Sequence, residues 1–371
     1  MLRFLHTGDL HLGSAFAAFS PRAAARRRER QFAALEQLFA DARDAGAAMI
    51  LIAGDVFDTP TPDADAVARF FAIAGAQSLP VVIAPGNHDY RRRGGFWDRT
   101  PHPENVYIFE GNTLSRFDFP PLNASVFGFA FDAESAPAPE LGRAEEREAG
   151  RISILLAHAD ILSPLSPYAP ITAGQLEVSG FDYAALGHIH KPVEPRRFGK
   201  TLCAYSGFFA GRGFDEIGEG SALLVEIDGG VVSTKRLASK ADLFLIETLD
   251  CSGATSGEEA RSRVSAHILD LKKNGLSEDS ALRLILQGNV TPSCLLDKTA
   301  LEALGESLAL FELRDETVPL LDADYLEKDP TLRGAFYRAI LPRLSSADPD
   351  TRAIAADALR MGLAALAGKE V

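Results

Sequence analysis

The sequence ILIAGDVFD, residues 50–58, predicts the feature around which the first part of the chain is built. An apolar run with β-branched residues, short enough for a buried strand, stops at Gly54. The glycine lets the backbone turn sharply, and two carboxylates, Asp55 and Asp58, follow it. We therefore expect Asp55 to stand at a strand end, where a rigid sheet can hold it against a ligand.

The same arrangement, an apolar run followed by polar donor residues, occurs four more times. The runs begin at Leu2, Val81, Ile152 and Ala184, and five of the eight histidines follow closely on apolar runs. Core histidines placed by chance would not choose strand ends so consistently. The donors that follow the four runs are Asp9, His11, Asn87, His88, Asp89, His158, His188 and His190.

Length and composition limit the class of protein. A chain of 371 residues predicts two domains and a tail, and its net charge of −13 argues against a surface coated in positive charge for nucleic acid. Any DNA contact must therefore come from a local basic patch or a partner. Three widely spaced cysteines fit reduced thiols. The apolar stretches are too short to span a bilayer, and the chain begins at once with a strand, so we predict a cytoplasmic protein without a signal peptide.

Further elements follow from periodicity and from capping residues. A helix is predicted from Arg22 to Ala45, and a crossover helix over residues 62–76. In the first helix, Arg28 lies on the core side, where it either pairs with a buried carboxylate or reaches toward the strand-end site. Residues 243–313 read as a small β-α-β-α-β domain. Asp329 and Asp348 each precede a proline, which predicts two helix starts in the tail.

The donors indicate a site for two metal ions. Carboxylate, imidazole and one amide suit manganese, iron or zinc, and thiolates are missing from the set. Seven candidate ligands are too many for one ion that keeps an open coordination position, so we expect two ions. Paired ions promote phosphoryl displacement. His88 is then left free to act on the leaving oxygen. The seven candidate ligands are Asp9, His11, Asp55, Asn87, His158, His188 and His190.

Arginines at positions 91, 92 and 93 follow the Gly86–Asp89 turn directly. We predict that Arg91, Arg92 and Arg93 contact a nucleic acid backbone beside the metal site. The alternative is that they form a solubilising surface loop.

The five motifs, in this order along the chain, resemble those of the calcineurin-like metallophosphoesterase family. Gly8–Gly13, Leu186–Pro192 and Tyr205–Gly207 are similar to the SbcD-type DNA repair exonucleases, and Gly211–Gly220 is similar to their YhaO-like branch. The resemblance implies an α/β fold: a four-layer α/β/β/α sandwich, a small α+β capping domain and a helical C-terminal tail. The expected boundaries are 1–240 for the nuclease domain, 241–322 for the capping domain and 323–371 for the tail.

The resemblance also implies a role for each candidate. Asp9, His11, Asp55 and His190 would hold one ion, and Asp55 would bridge to a second ion held with the remaining three ligands. His88 would act on the leaving group, with Asp89 orienting it, and Asp58 would support its loop.

The predicted function is manganese-dependent hydrolysis of DNA phosphodiesters in break repair, beside an SMC-like ATPase. The same ligands would equally serve a phosphodiesterase or phosphatase that acts on nucleotides or phosphoproteins. A further alternative, which is not an enzyme, is a catalytically silent DNA-binding scaffold. The helix from Pro349 to Leu366 carries two apolar stripes. It is expected to dock on a partner, on a second copy in a homodimer, or on the protein's own capping domain.

Overall fold

The computed structural model describes residues 1–191, 193–291, 294–319 and 323–366. The chain divides into two compact units, the first comprising Met1–Phe244 and the second beginning at Leu245. Pro192 of the Leu186–Pro192 motif lies outside the described residues, as do residues 320–322 at the predicted end of the capping domain.

Two six-stranded sheets form the centre of the described part of the first unit. The strands, in chain order, are β1 (Leu2–Thr7), β2 (Ile50–Ile52), β3 (Val81–Ile83), β4 (Val106–Ile108), β5 (Ser115–Phe119), β6 (Ala124–Gly128), β7 (Ile152–His158), β8 (Tyr183–Gly187), β9 (Arg196–Phe198), β10 (Thr201–Tyr205), β11 (Ser221–Asp228) and β12 (Val231–Ala238). The first sheet has the order β12-β11-β1-β2-β3-β4, and the second has the order β5-β6-β7-β8-β10-β9.

Each sheet has a parallel centre, which brings its strand ends to one edge. Strands β1 to β4 run parallel, with Leu5 opposite Ile50 in the β1–β2 pair. Strands β6, β7, β8 and β10 are likewise parallel. The remaining strands pair antiparallel, and Leu2 of β1 lies opposite Ile227 of β11. The polar residues that follow parallel strands therefore collect at the carboxyl edge, where open α/β sheets hold their ligands.

Helices cover the outer faces of the two sheets. They are α1 (Pro21–Asp44), α2 (Ala64–Gly75), the short α3 (Phe96–Arg99) and α4 (Ala173–Ser179), with 3₁₀ turns at Pro120–Leu122 and Ala144–Glu146. One core lies between α1, α2 and the first sheet, a second lies between the sheets, and a third joins the second sheet to α4. The predicted four-layer α/β/β/α sandwich is confirmed.

Helix α1 forms where the sequence predicts it, but the arginine that it buries is not the predicted one. Ser20 caps it by accepting a hydrogen bond from the Ala23 amide at 3.3 Å, and its predicted apolar stripe is buried. Arg28, however, is half-buried, and its guanidinium donates to the Ala15 carbonyl oxygen. Neither alternative proposed for Arg28 describes this contact. The neighbouring Arg27 is the buried arginine, and it lies over the rings of Phe16, Phe19 and Phe244.

The second unit contains the predicted strands and helices and adds others. Its elements are β13 (Phe244–Asp250), α5 (Gly257–Lys273), β14 (Ala281–Gln287), β15 (Asn289–Val290), α6 (Lys298–Glu302), a 3₁₀ turn (Ala303–Gly305), β16 (Leu310–Asp315), β17 (Val318–Pro319), α7 (Ala323–Lys328), α8 (Leu332–Leu344) and α9 (Pro349–Leu366). Strands β13, β14 and β16 form one sheet in that order. Helix α7 was not predicted, and α8 begins after Thr331, because Asp329 accepts the Thr331 amide instead of capping the helix.

Helix α9 has one buried apolar stripe and one exposed apolar stripe. Ala355, Leu359 and Leu363 are buried in a small core shared with α7 and α8. Ile354 and Met361 lie on a different face and are 70% and 46% exposed. Among the described residues, the helix therefore packs on the tail through one stripe and leaves Ile354 and Met361 of the other exposed.

No helix in the described part of the chain combines the length and the apolar character that crossing a bilayer requires.

Candidate metal centre

The structure brings all seven candidate ligands to the carboxyl ends of five parallel strands. Asp9 and His11 follow β1, and Asp55 follows β2. Asn87 follows β3, His158 ends β7, and the two remaining histidines follow β8. The ligands that are buried are Asp9, His11, Asp55 and His158, and those that are half-buried are Asn87, His188 and His190. Both sheets thus contribute donors to one place.

The backbone at these positions is unusual. Asp9, His11, Asp55 and His188 have positive φ values of 48°, 43°, 49° and 97°, in a region that side-chain-bearing residues seldom adopt. Such conformations persist where the surrounding structure enforces them, and they concentrate at functional sites. Gly54, with a φ of 84°, allows the turn before Asp55, and a Cβ there would clash with the His158 imidazole.

Three overlapping groups of donors among the described residues have the proximity that a metal ion requires. One consists of His11, Asp58 and His88, and the other two consist entirely of candidate ligands. The ligand atoms of Asp9, His11 and His190 lie within 4.8 Å of one another, as do those of Asp9, Asp55 and His158. In the first group, His190 Nε2 is 3.4 Å from Asp9 Oδ1. Beside the second group, Asn87 Oδ1 lies 2.9 Å from His158 Nε2, a close approach that suits two ligands of one ion. The donors are therefore arranged for two neighbouring ions.

Asp55 lies between the two groups. Its Oδ2 is 3.6 Å from His11 Nε2 and 3.4 Å from His158 Nε2, and its Oδ1 accepts the His88 amide at 2.9 Å. A carboxylate shared by two ions must face histidines on both sides. This position is compatible with the bridging role expected for Asp55.

The electrostatics of the centre fit divalent cations. Burial and the charge of Asp9 raise the pKa of Asp55 to about 7. Burial would also raise the pKa of Asp9, but the hydrogen bond from His190 and the nearby histidines hold it below its usual value. Burial lowers the pKa of His11 and of His188 to about 4, so both imidazoles are neutral and can donate lone pairs. Burial would lower the pKa of His190, but its hydrogen bonds to Asp9 and Glu216 raise that pKa to about 10, so a cation bound at this imidazole replaces a proton. Crowded carboxylates beside imidazoles form a donor set that a divalent cation stabilises.

His88 lies at the rim of the centre. Its side chain is 44% exposed, its ring lies 4.9 Å from the His11 ring, and its Nδ1 is 3.4 Å from the Asp58 carbonyl oxygen. With Nδ1 donating to that carbonyl, Nε2 is available to exchange a proton with a bound molecule. This geometry is compatible with the predicted role of His88 on a leaving oxygen.

The orienting role expected of Asp89 is wrong. Its carboxylate is fully buried and accepts hydrogen bonds from the backbone amides of Val56 at 2.8 Å, Phe57 at 3.2 Å and Gly86 at 2.8 Å. Asp89 therefore fastens the loop after β2 to the loop after β3. The carboxylate that pairs with the His88 ring is that of Asp58, whose Oδ1 lies 3.9 Å from Nδ1.

The three consecutive arginines differ in their exposure and in their contacts. Arg91 is half-buried and pairs with Asp98 at 2.9 Å and with Glu110 at 3.5 Å, so its guanidinium already serves the fold. Arg92 and Arg93 are exposed. The predicted contact with a nucleic acid backbone therefore depends on the latter two.

Three residues near the centre were not predicted as part of it. The Tyr168 ring lies 4.7 Å from the His188 ring. Glu216 Oε1 accepts from His190 Nδ1 at 2.5 Å, and Arg212 donates to Glu216 and to Asp58. The similarity of Gly211–Gly220 to the YhaO-like branch is the one signal in the sequence that points to Arg212 and Glu216.

Metal ions held by these ligands would neutralise charge on phosphoryl oxygens and align the attacking and leaving oxygens of a phosphoester. The chain's own groups would bind and orient the ester, and His88 would deliver a proton to the leaving oxygen from the open side. The arrangement is therefore suited to hydrolysis of a phosphoester.

Comparison with known proteins gives the same class of chemistry. A sequence model described as calcineurin-like phosphoesterase matches residues 2–192, a range that contains every candidate ligand. The Bacillus subtilis (strain 168) protein named uncharacterized metallophosphoesterase YhaO is 29% identical over 346 residues, covering 89% of this chain and 83% of that protein. The solved structure of TT1561 of Thermus thermophilus aligns with a TM-score of 0.39 and 17% identity, covering 63% of this chain and 98% of that one.

Proposed function

The chain belongs to the calcineurin-like phosphoesterase family of metal-dependent phosphoester hydrolases, and on this premise we propose that it is a DNA nuclease of the SbcD type. Its substrate would be the phosphodiester backbone of DNA at a break. The two ions would be manganese, with iron or zinc as alternatives that the same imidazole and carboxylate donors accept.

The observation that carries this proposal is an exposed arginine pair beside the half-exposed His88. Arg92 and Arg93 follow His88 by four and five residues, and Arg92 extends over the Tyr90 ring with its guanidinium 5.9 Å from the ring centroid. In a chain of net charge −13, an exposed cationic pair four and five residues after His88 is an attractive site for a phosphate backbone. A polymer that crosses His88 would reach this arginine pair, whereas a small phosphoester would not need it.

Changing Arg92 and Arg93 together to serine tests the substrate. We expect wild-type protein with Mn²⁺ to cleave linear duplex DNA and a chromogenic phosphodiester. The double variant should bind DNA more weakly, and the plot of log affinity against log salt concentration should become shallower by about two, because two phosphate contacts are lost. Turnover of the chromogenic diester should be unchanged. Binding is measured by fluorescence anisotropy over a salt series.

Lys235 and Arg236 provide the matched control. Both are exposed on β12, at the opposite edge of the first sheet from β4, and changing them to serine removes the same two charges. This control should leave the salt dependence close to that of wild type. If the control and the Arg92/Arg93 variant behave alike, the arginine pair is not a DNA site. If wild-type protein hydrolyses only the small diester, a nucleotide substrate is favoured over DNA.

We further propose that the exposed stripe of α9 binds a coiled-coil helix of an SMC-like ATPase. The exposed Ile354 and Met361 are seven residues apart, the spacing of anchors in helix-in-groove binding. Because Leu359 and Leu363 on the other stripe complete the core with α8, removal of the whole helix would also uncover that core. Substitution of one face at a time is therefore a sharper test than removal of the helix.

The two stripes of α9 should respond differently to substitution. Leu359→Ala should lower the free energy of unfolding by about 2–5 kcal/mol, because Leu359 is fully buried. Changing Ile354 and Met361 together to glutamine should alter it by less than about 0.5 kcal/mol and abolish co-purification with the SMC-like ATPase. Thermal melting and size-exclusion chromatography with light scattering measure both effects. A wild-type dimer that the glutamine variant loses would show that a second copy occupies the stripe.

A further inference from the structure

The histidines of the metal centre differ in what supports the ring nitrogen that faces away from it. His11 Nδ1 donates to Asp58 Oδ1 at 2.9 Å, and His190 Nδ1 donates to Glu216 Oε1 at 2.5 Å. His158 Nδ1 instead donates to the Ala53 carbonyl oxygen at 3.0 Å. Of the four histidine ligands, His11 and His190 thus have a carboxylate behind the ring, whereas His158 has a neutral backbone group.

Arg212 joins the two supporting carboxylates. Its NH1 group donates to Asp58 Oδ1 at 2.8 Å, and its NH2 group donates to Glu216 Oε1 at 2.7 Å. The Arg212 amide also donates to Glu216 Oε2 at 2.9 Å, which fixes both oxygens of that carboxylate. The Glu216 side chain is only 4% exposed, so water competes little for these bonds.

This network determines which nitrogen of each histidine faces the centre. A neutral imidazole carries one proton, and a carboxylate at Nδ1 keeps the proton there, which leaves the Nε2 lone pair to bind metal. The Nε2 atoms of His11 and His190 lie 3.4 Å apart, so both are directed at one place beside Asp9. Carboxylate support also makes an imidazole a stronger metal ligand than support by a carbonyl.

We propose that Arg212 and Glu216 are positioning residues for one of the two ions. Through His190, and through Asp58 and His11, they make the site of Asp9, His11 and His190 the tighter one. The site that contains His158 binds its ion more weakly, because a backbone carbonyl supports that histidine. The inference rests on metal binding within the proposed function and not on the choice of DNA as substrate.

The geometry makes arginine necessary at this position. One guanidinium fork reaches both carboxylates, Asp58 from one nitrogen and Glu216 from the other two. An ammonium group is a point charge at the end of a flexible stem and cannot hold two separate carboxylates in this way. Arg212→Lys should therefore resemble Arg212→Gln more closely than wild type.

Titration of the metal-free, full-length chain with Mn²⁺, followed by electron paramagnetic resonance of free Mn²⁺, tests the proposal. Wild-type protein should bind two ions with two resolved dissociation constants. Glu216→Gln should weaken the tighter ion by about 10–100-fold and leave the weaker one unchanged. Asp215→Asn, the same change of charge at the exposed neighbouring carboxylate, should match wild type. Melting temperatures in EDTA should be similar for all three proteins, which separates positioning from folding.

Coincident titration curves for Glu216→Gln and wild type would overturn the proposal, and so would equal weakening of both ions. If Glu216→Gln fails to fold, the titration is repeated with Arg212→Gln, which should also weaken only the tighter ion. Unchanged binding, or equal weakening of both ions, would again overturn the proposal. Wild-type protein that keeps two unequal Mn²⁺ affinities but leaves DNA intact would support this inference and contradict the proposed substrate.

Discussion

Replacing Asp55 by asparagine is expected to weaken binding of both metal ions and to reduce phosphodiester hydrolysis by roughly 10³-fold or more. Asp55 Oδ2 lies between His11 and His158, 3.6 and 3.4 Å from their Nε2 atoms, so its charge serves both groups of donors. Stabilisation by metal ions contributes several kcal/mol to such reactions, and each 1.36 kcal/mol is a factor of ten in rate. Metal analysis after dialysis, with turnover of a chromogenic diester, measures both losses.

Asp65→Asn makes the same change at an exposed position in the first turn of α2 and should retain both ions and full activity. If Asp55→Asn keeps one ion at wild-type affinity, the carboxylate is not shared.

Stability in EDTA distinguishes loss of metal from loss of fold. Burial and the charge of Asp9 raise the pKa of Asp55 from 3.8 to about 7 in the folded chain. The folded state therefore holds this proton more tightly than the unfolded state, and the resulting stability is lost as the pH rises through about 7. At pH 8 without metal, the Asp55→Asn variant should have a higher melting temperature than wild type. The difference between the two melting temperatures should shrink as the pH falls toward 4.

The second large effect is expected for His88→Ala, which should keep both ions and slow DNA hydrolysis by roughly 10²–10⁴-fold, the usual contribution of positioned proton transfer. The His88 side chain is 44% exposed, and the close donors that it joins, His11 and Asp58, do not include Asp9 or Asp55. Because a nitrophenolate leaves without help, turnover of a nitrophenyl diester should fall much less than DNA cleavage. The comparison of the two substrates isolates the proton given to the leaving oxygen.

His102→Ala is the matched control, since His102 is exposed on the loop before β4, and it should alter neither rate. Loss of metal from His88→Ala would show that His88 is a ligand. Equal losses on the two substrates would show that His88 does not protonate the leaving group.

The sequence predicts the centre well where donors follow strands directly. Asp9, Asp55 and His158 each stand within three residues of an apolar run, and parallel pairing of those runs places them at one edge. Periodicity likewise identifies α1, and Pro349 marks the start of α9. In these cases, the residues that determine the structure are neighbours in the chain.

Prediction fails where distant segments meet. Glu216 reaches His190 across 26 residues, and Arg212 reaches Asp58 across 154, so no local pattern indicates either contact. The burial of Arg27 instead of Arg28 depends on Phe244, which is equally remote. Asp89 was misassigned because its neighbour His88 suggested a partnership, whereas its carboxylate binds amides more than thirty residues away.

The pairing of β1 with β11 has a consequence for how the chain is made. Leu2 lies opposite Ile227, so the first sheet cannot close until the ribosome has synthesised more than two hundred further residues. Contacts of this sequence separation form slowly, and until then β1 exposes an unpaired edge on which other chains can assemble. Nascent or prematurely terminated chains that lack Ser221–Asp228 should therefore depend on chaperones to remain unaggregated.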